Sequence, residues 1–247
     1  MKRLLAGLMT VLLLVTTAFG EEDFWAGLES RYYEDFPQAR SVDTGTFLEE
    51  GDALDWSRAV RRYNSEDSLY TREGIETFVS AMRSGQLLSD RMEPDGRALV
   101  YVKRGGGGSG TAIVHLEKEE VVGYLPSEGG AGEDFELRHS AGVRTALEQL
   151  GLDLSRTKGY YLLLNGLGAG ILYTDGRTEL YQPTGDTPEF LETDTAYTLT
   201  ELADLAEENA ASLDRYTDVN ENLDPEKPNV VTGGSPAQTK PPVDTGR

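Results

Sequence analysis

A chain of 247 residues with 43 acidic and 23 basic side chains has a net charge of −20. An acidic surface of that strength repels phosphate backbones and argues against a nucleic-acid partner. The absence of cysteine removes disulfide frameworks, thiolate catalysis, lipobox attachment and cysteine-based zinc sites, so the fold rests on its hydrophobic core.

Lys2 and Arg3 precede an apolar run, Leu4–Val15, and then the small-residue stretch Thr16-Thr17-Ala18-Phe19-Gly20. That order is the signature of a secretory signal peptide over residues 1–20. Ala18 and Gly20 stand at −3 and −1 for a cut before Glu21, and a cut after Ala18 is the alternative. The run is shorter than the ~20 residues of a spanning helix, so cleavage is expected rather than a retained anchor. Loss of Lys2 and Arg3 takes the net charge from −20 to −22. No later run is long enough to span a bilayer, so no stable membrane insertion is expected after cleavage. The predicted location is secreted or extracytoplasmic, in a bacterial-type envelope.

Residues 21–64 read as a helical lead-in. Phe24, Leu28, Tyr32 and Phe36 recur at helical spacing beside Trp25, and Pro37 ends the stripe. Ala53, Trp56, Val60 and Tyr63 predict a second helix over Asp52–Tyr63 with Asp52 as its cap. Aromatic stripes of this kind are ordinarily core contacts rather than ligand platforms.

Residues 65–216 read as one α+β domain. Ile75, Phe78, Val79 and Met82 mark a helix over Thr71–Ser84, with Gly85 as its stop. Pro94-Asp95-Gly96 predicts a turn. Ala98–Lys103, Thr111–Leu116 and Val121–Leu125 then read as three strands, and Glu128–Glu133 as a flexible connection. Val143, Ala146, Leu147 and Leu150 predict a helix over Ser140–Leu150.

Three more strands follow in Lys158–Pro183. Asn165-Gly166 supplies the first turn. Asp175-Gly176 predicts a two-residue type I′ hairpin that pairs Tyr173 with Thr178, Ile171 with Leu180 and, on the other face, Leu172 with Glu179. Thr198-Leu199-Thr200-Glu201 matches a capping box opening a helix to about Leu213. The proline-rich stretch 217–247 has little apolar content and reads as a disordered tail.

Helix-then-three-strands thus occurs twice, over 71–126 and 140–183. Tyr101-Val102 answers Tyr161-Leu162, and Tyr124-Leu125-Pro126 answers Tyr181-Gln182-Pro183. A tandem repeat is one reading; common strand tyrosines are the other. The expected architecture is an antiparallel sheet of about six strands with helices packed on one face. Element order over Thr71–Pro183 resembles exported binding modules of the β-lactamase-inhibitor-protein and PepSY kind, a likeness that carries over no residue.

Catalytic constellations are sparse. Gly105–Gly110 (GGGGSG) precedes the strand-like TAIVHL rather than a helix, so it reads as a hairpin loop and not a phosphate cradle; Gly166–Gly170 fails alike. Asp218, Asn220 and Asn222 begin a calcium-loop pattern, but Leu223 stands at its glycine position and Asn229 at its closing glutamate. His115 and His139 are the only histidines, with no G-x-S-x-G or H-E-x-x-H around them.

Acidic clusters fall in turns or on helix faces, where charge is solvated. Accordingly no catalytic, cofactor-binding or metal-binding residue is named. The leading expectation is an exported binding or structural module with a protein or glycan ligand, using a sheet surface that bears Tyr101, Tyr124, Tyr161 and Tyr181. A small carboxylate-dependent glycan hydrolase is the alternative, and an inhibitor of an extracellular enzyme, acting through Glu128–Glu133, a second.

Overall fold

The computed structural model describes residues 23–34, 36, 42–126, 135–137, 140–184, 187–193 and 195–213. The signal-like leader, Glu128–Glu133, His139, the calcium-like stretch from Asp218 and the tail lie outside them.

Among the described residues eight strands form one sheet, with five helices around it. Helix α1 covers residues 23–32. Strand β1 (Ala53–Ser68) and helix α2 (Arg72–Arg83) follow, then a 3₁₀ turn, Leu88–Arg91. The first meander is β2 (Met92–Lys103), β3 (Ser109–His115) and β4 (Glu120–Pro126). After α3 (Ala141–Gln149), the second is β5 (Lys158–Asn165), β6 (Gly168–Thr174) and β7 (Glu179–Pro183). The short β8 (Tyr197–Thr198), α4 (Leu199–Glu208) and α5 (Ala210–Leu213) complete the described chain.

The strand order is β4-β3-β2-β1-β5-β6-β7-β8. All neighbours are antiparallel except β1 and β5, which run parallel and join the two meanders. The sheet is therefore α+β and mostly antiparallel, with two strands more than expected.

Local signals set the helices. The Thr71 side chain accepts the Gly74 N–H to open α2, and Gly85 ends it at φ 79°. Ser140 caps α3 through the Val143 N–H. Thr198 and Glu201 complete a reciprocal capping box on α4. The last helix is broken at Asn209 into α4 and α5.

Four expectations are corrected. First, Asp52–Tyr63 is not a helix; it opens β1, at the centre of the sheet. The residues meant for one helical stripe divide between three clusters: Trp56 with Phe36 and Val100, Val60 with Leu28 and Leu99, Tyr63 with Tyr160. Asp52 accepts backbone N–H groups of Glu49 and Gly105 instead of capping a helix.

Second, Pro94-Asp95-Gly96 is no turn but an irregularity inside β2. The register against β1 shifts there, between Arg61 and Tyr63, with Gly96 at φ 76°.

Third, Asp175-Gly176 belongs to a four-residue loop. Thr174 pairs with Glu179, Tyr173 with Leu180 and Leu172 with Tyr181. Only Gly176 takes a positive φ, and the Asp175 carboxylate instead accepts the Arg177 and Thr178 N–H groups. The pairing slips by two residues, so every side chain keeps its expected face.

Fourth, helices cover both faces of the sheet. Leu162, Leu164, Leu172 and Tyr181 pack under α2 and α4. Tyr161, Ile171, Tyr173 and Leu180 pack under α1 and α3. Successive strand residues point to opposite faces, so these two helical layers sandwich the second meander.

The two meanders share one register. Val102, Gly110 and Pro126 lie abreast in the first, and Leu162, Gly170 and Pro183 in the second. In each, the glycine leaves room for a tyrosine ring. A Cβ on Gly110 would lie 2.3 Å from the Tyr124 hydroxyl, and one on Gly170 2.4 Å from Tyr181 Cζ.

Candidate functional site

The four strand tyrosines do not form a common surface. Tyr161 and Tyr181 are 1% and 0% exposed, in opposite layers of the core. Tyr124 lies over Gly110, with the Arg104 guanidinium 5.8 Å from its ring centre. Tyr101 alone lies on the face of the first meander that is incompletely covered. That expected contact surface is thus corrected: core packing takes two of its members.

Carboxylates that burial might activate are already engaged. Asp95 holds Arg62 at 2.6 Å, and Asp67 holds Arg91 at 2.5 and 3.0 Å. Glu179 is 4% exposed and accepts the Leu88 N–H at 2.5 Å and the Ser89 N–H at 3.2 Å, so it caps the 3₁₀ turn from across the sheet. Sequence reading missed all three, because a buried carboxylate and a solvated one look alike in a polar stretch.

Among the described residues no three His, Cys, Asp or Glu side chains converge as a metal site. The His115 Nδ1 accepts the Lys118 N–H at 3.4 Å within the β3–β4 turn. A cavity of about 10 Å³, lined by Phe36, Val42, Trp56, Val114, Leu116 and Glu119, has room for one water at most.

What distinguishes one surface from the rest is burial. Every residue of β7 is buried, whereas in β4 only Val121 is. The registers place Leu99, Ile113 and Gly123 abreast, with Tyr101, Thr111 and Leu125 beside them on the same face. Tyr101, Ile113, Gly123 and Leu125 are half-buried, and Val122 is 37% exposed.

Arg58 shapes the inner border of this face. The register of β1 against β2 jumps between Asp55 and Ala59, which leaves Trp56-Ser57-Arg58 as an outward bulge. From it the Arg58 guanidinium lies 3.9 Å above the Tyr101 ring and pairs with Glu136. Beside it, burial raises the Tyr33 hydroxyl pKa, against the lowering pull of the Leu137 backbone and Arg58. Arg97 and His115 lie at one end of the face and Lys103 at the other. A half-apolar surface with cationic ends can hold a partner.

Among the described residues no helix is long and apolar enough to cross a membrane. No family model matches this chain, and no curated protein or solved structure matches it at significance.

Proposed function

We propose that the chain is an exported binding module of the cell envelope or extracellular space, and that it holds a protein or glycan ligand on the open face of its first meander. The observation that carries this reading is the contrast between β7 and β4. They are the third strands of two meanders of one register; β7 lies between β6 and β8 and is wholly buried, whereas β4 is the edge strand of the sheet and buries only Val121. Half-buried Tyr101, Ile113 and Leu125 on one face suit recognition. Among the described residues the buried carboxylates Asp67, Asp95 and Glu179 are engaged in ion pairs or hydrogen bonds, which does not favour the free carboxylate pair that glycoside hydrolysis needs.

Export rests on the leader over residues 1–20. Binding of labelled mature chain to cell-envelope fragments tests the whole reading. Saturable binding is expected, displaced by unlabelled chain but not by a folded Ile113→Lys variant, with no release of reducing sugar. Equal competition by Ile113→Lys rejects this face, and sugar release revives the hydrolase.

A further inference from the structure

We infer that the outer edge of β4 takes an extended strand of a partner polypeptide, joined to the sheet by main-chain hydrogen bonds and bearing a cation at the end nearest Glu119. This goes beyond the binding reading above, since it concerns the edge of the sheet and not its face.

β4 and β8 are the two edge strands. β8 is two residues long, and shortness is one ordinary way to blunt an edge. β4 has seven residues, and the chain itself shows what its edge accepts. Asp43 forms a parallel bridge beside Glu120. Its N–H donates to the Glu119 carbonyl and its own carbonyl accepts the Val121 N–H, both at 2.8 Å. The pairing ends after that one residue. The Asp43 carboxylate accepts the Gly45 N–H, the Phe47 N–H donates to the Thr44 carbonyl, and the chain turns away. Beyond Val121 no further described strand lies on that side of β4. The stretch Val122–Pro126 runs about 13 Å past the bridge.

Composition marks this stretch as well. Edges are commonly guarded by charge, and Val121–Pro126 carries none. Among the described residues the large apolar side chains that are exposed are Phe47, at 45%, and Val122, at 37%. Both lie here. Phe47 closes the turn after Asp43, and Val122 stands at the bulge where β4 slips against β3. Pro126 has no N–H to give and sets the far limit. An extended peptide satisfies the main-chain groups of such an edge, and its alternate side chains can meet Val122 and Phe47.

Charge sets the end. Glu117 and Glu119 are exposed beside Asp43 with no partner among the described residues, while Lys118 holds Glu120 at 3.7 Å. At the Pro126 end Arg104 is taken by Glu49 at 3.0 Å, so no charge is called for there. A second copy has no cation in its own β4 to meet these carboxylates and brings a net charge of −20, which disfavours self-pairing.

The test uses isotope-labelled mature chain and seven-residue peptides of alternating valine and threonine, with one lysine at the N-terminal or the C-terminal end. The tighter of the two reads the direction of the added strand. Expected are amide shifts at Asp43, Val122, Gly123 and Leu125, and affinity about ten-fold above that of the same peptide ended in glutamate. N-methylation of the three central residues keeps every side chain, removes main-chain donors and is expected to abolish binding. Val122→Lys is expected to weaken binding about ten-fold. Glu117→Gln with Glu119→Gly erases the preference for lysine without harm to the turn, because residue 119 stands at φ 52° and glycine suits it.

Equal binding of the N-methylated peptide, shifts elsewhere, or no binding overturns the inference. So does self-association that shifts these residues without peptide, which assigns the edge to a second copy. If every peptide fails while Ile113→Lys still loses its hold on envelope fragments, the edge falls and the face reading stands.

Discussion

Asp175 shows how one side chain sets a loop and a pH response together. Its carboxyl is held below the usual carboxylate range, first by the Asp153 N–H and then by those of Thr178 and Arg177. A lowered folded pKa means that the unfolded chain binds the proton more readily. The contribution is therefore complete above about pH 4, the unfolded value, and is lost as pH falls through the folded one. Between about pH 5 and pH 2, Asp175→Asn is expected to flatten the fall of unfolding free energy; parallel curves for the two proteins would remove this role.

Glu179 works by geometry. Its carboxylate satisfies two N–H groups of the 3₁₀ turn, so Glu179→Ala leaves both unpaired in the core and costs roughly 2–3 kcal/mol in urea unfolding. Thr198→Ala removes half of the capping box and costs about 1 kcal/mol by the same measurement.

At the scale of the element, legibility followed how local the cause was. α2, α3 and α4 were readable because stripe, cap and stop lie within a few consecutive residues. β1 was not. Its three-residue bulge breaks the period-two alternation, and leaves Ala53, Trp56, Val60 and Tyr63 at an accidental helical spacing. Pro94-Asp95-Gly96 misled likewise, since a turn and a bulge demand the same residues. The candidate face was hidden for another reason. Tyr101 and Tyr161 have equivalent places in the sequence and pack against one cluster, and only distant elements decide that Tyr161 is fully covered and Tyr101 half-covered.

The paired glycines give a graded prediction. At Gly170 an added Cβ meets the fully buried Tyr181 ring and, at 2.6 Å, the Gln182 carbonyl, neither of which can move. At Gly110 the nearest atoms all belong to the Tyr124 ring, which is half-buried where Tyr181 is fully buried. Gly170→Ala is expected to cost about 1–3 kcal/mol and Gly110→Ala distinctly less. Equal losses on thermal melting would contradict the packing described.

For the molecule as a whole, the meanders are not independent bodies. Ile75, Phe78 and Met82 of α2, which precedes the first meander, pack on Leu162, Leu164 and Leu172 of the second. A fragment spanning 140–183 therefore lacks the cover for one face of its sheet, and is expected to give a collapsed amide spectrum with no cooperative melt. A dispersed spectrum from that fragment would mean that the units fold alone.

β1 is synthesised first and finishes in mid-sheet, and its parallel neighbour β5 emerges about ninety residues later. Until most of the chain has been made, this strand therefore has one flank bare. Such distant pairing slows folding and leaves a sticky interval in which the unpaired flank is exposed to aggregation.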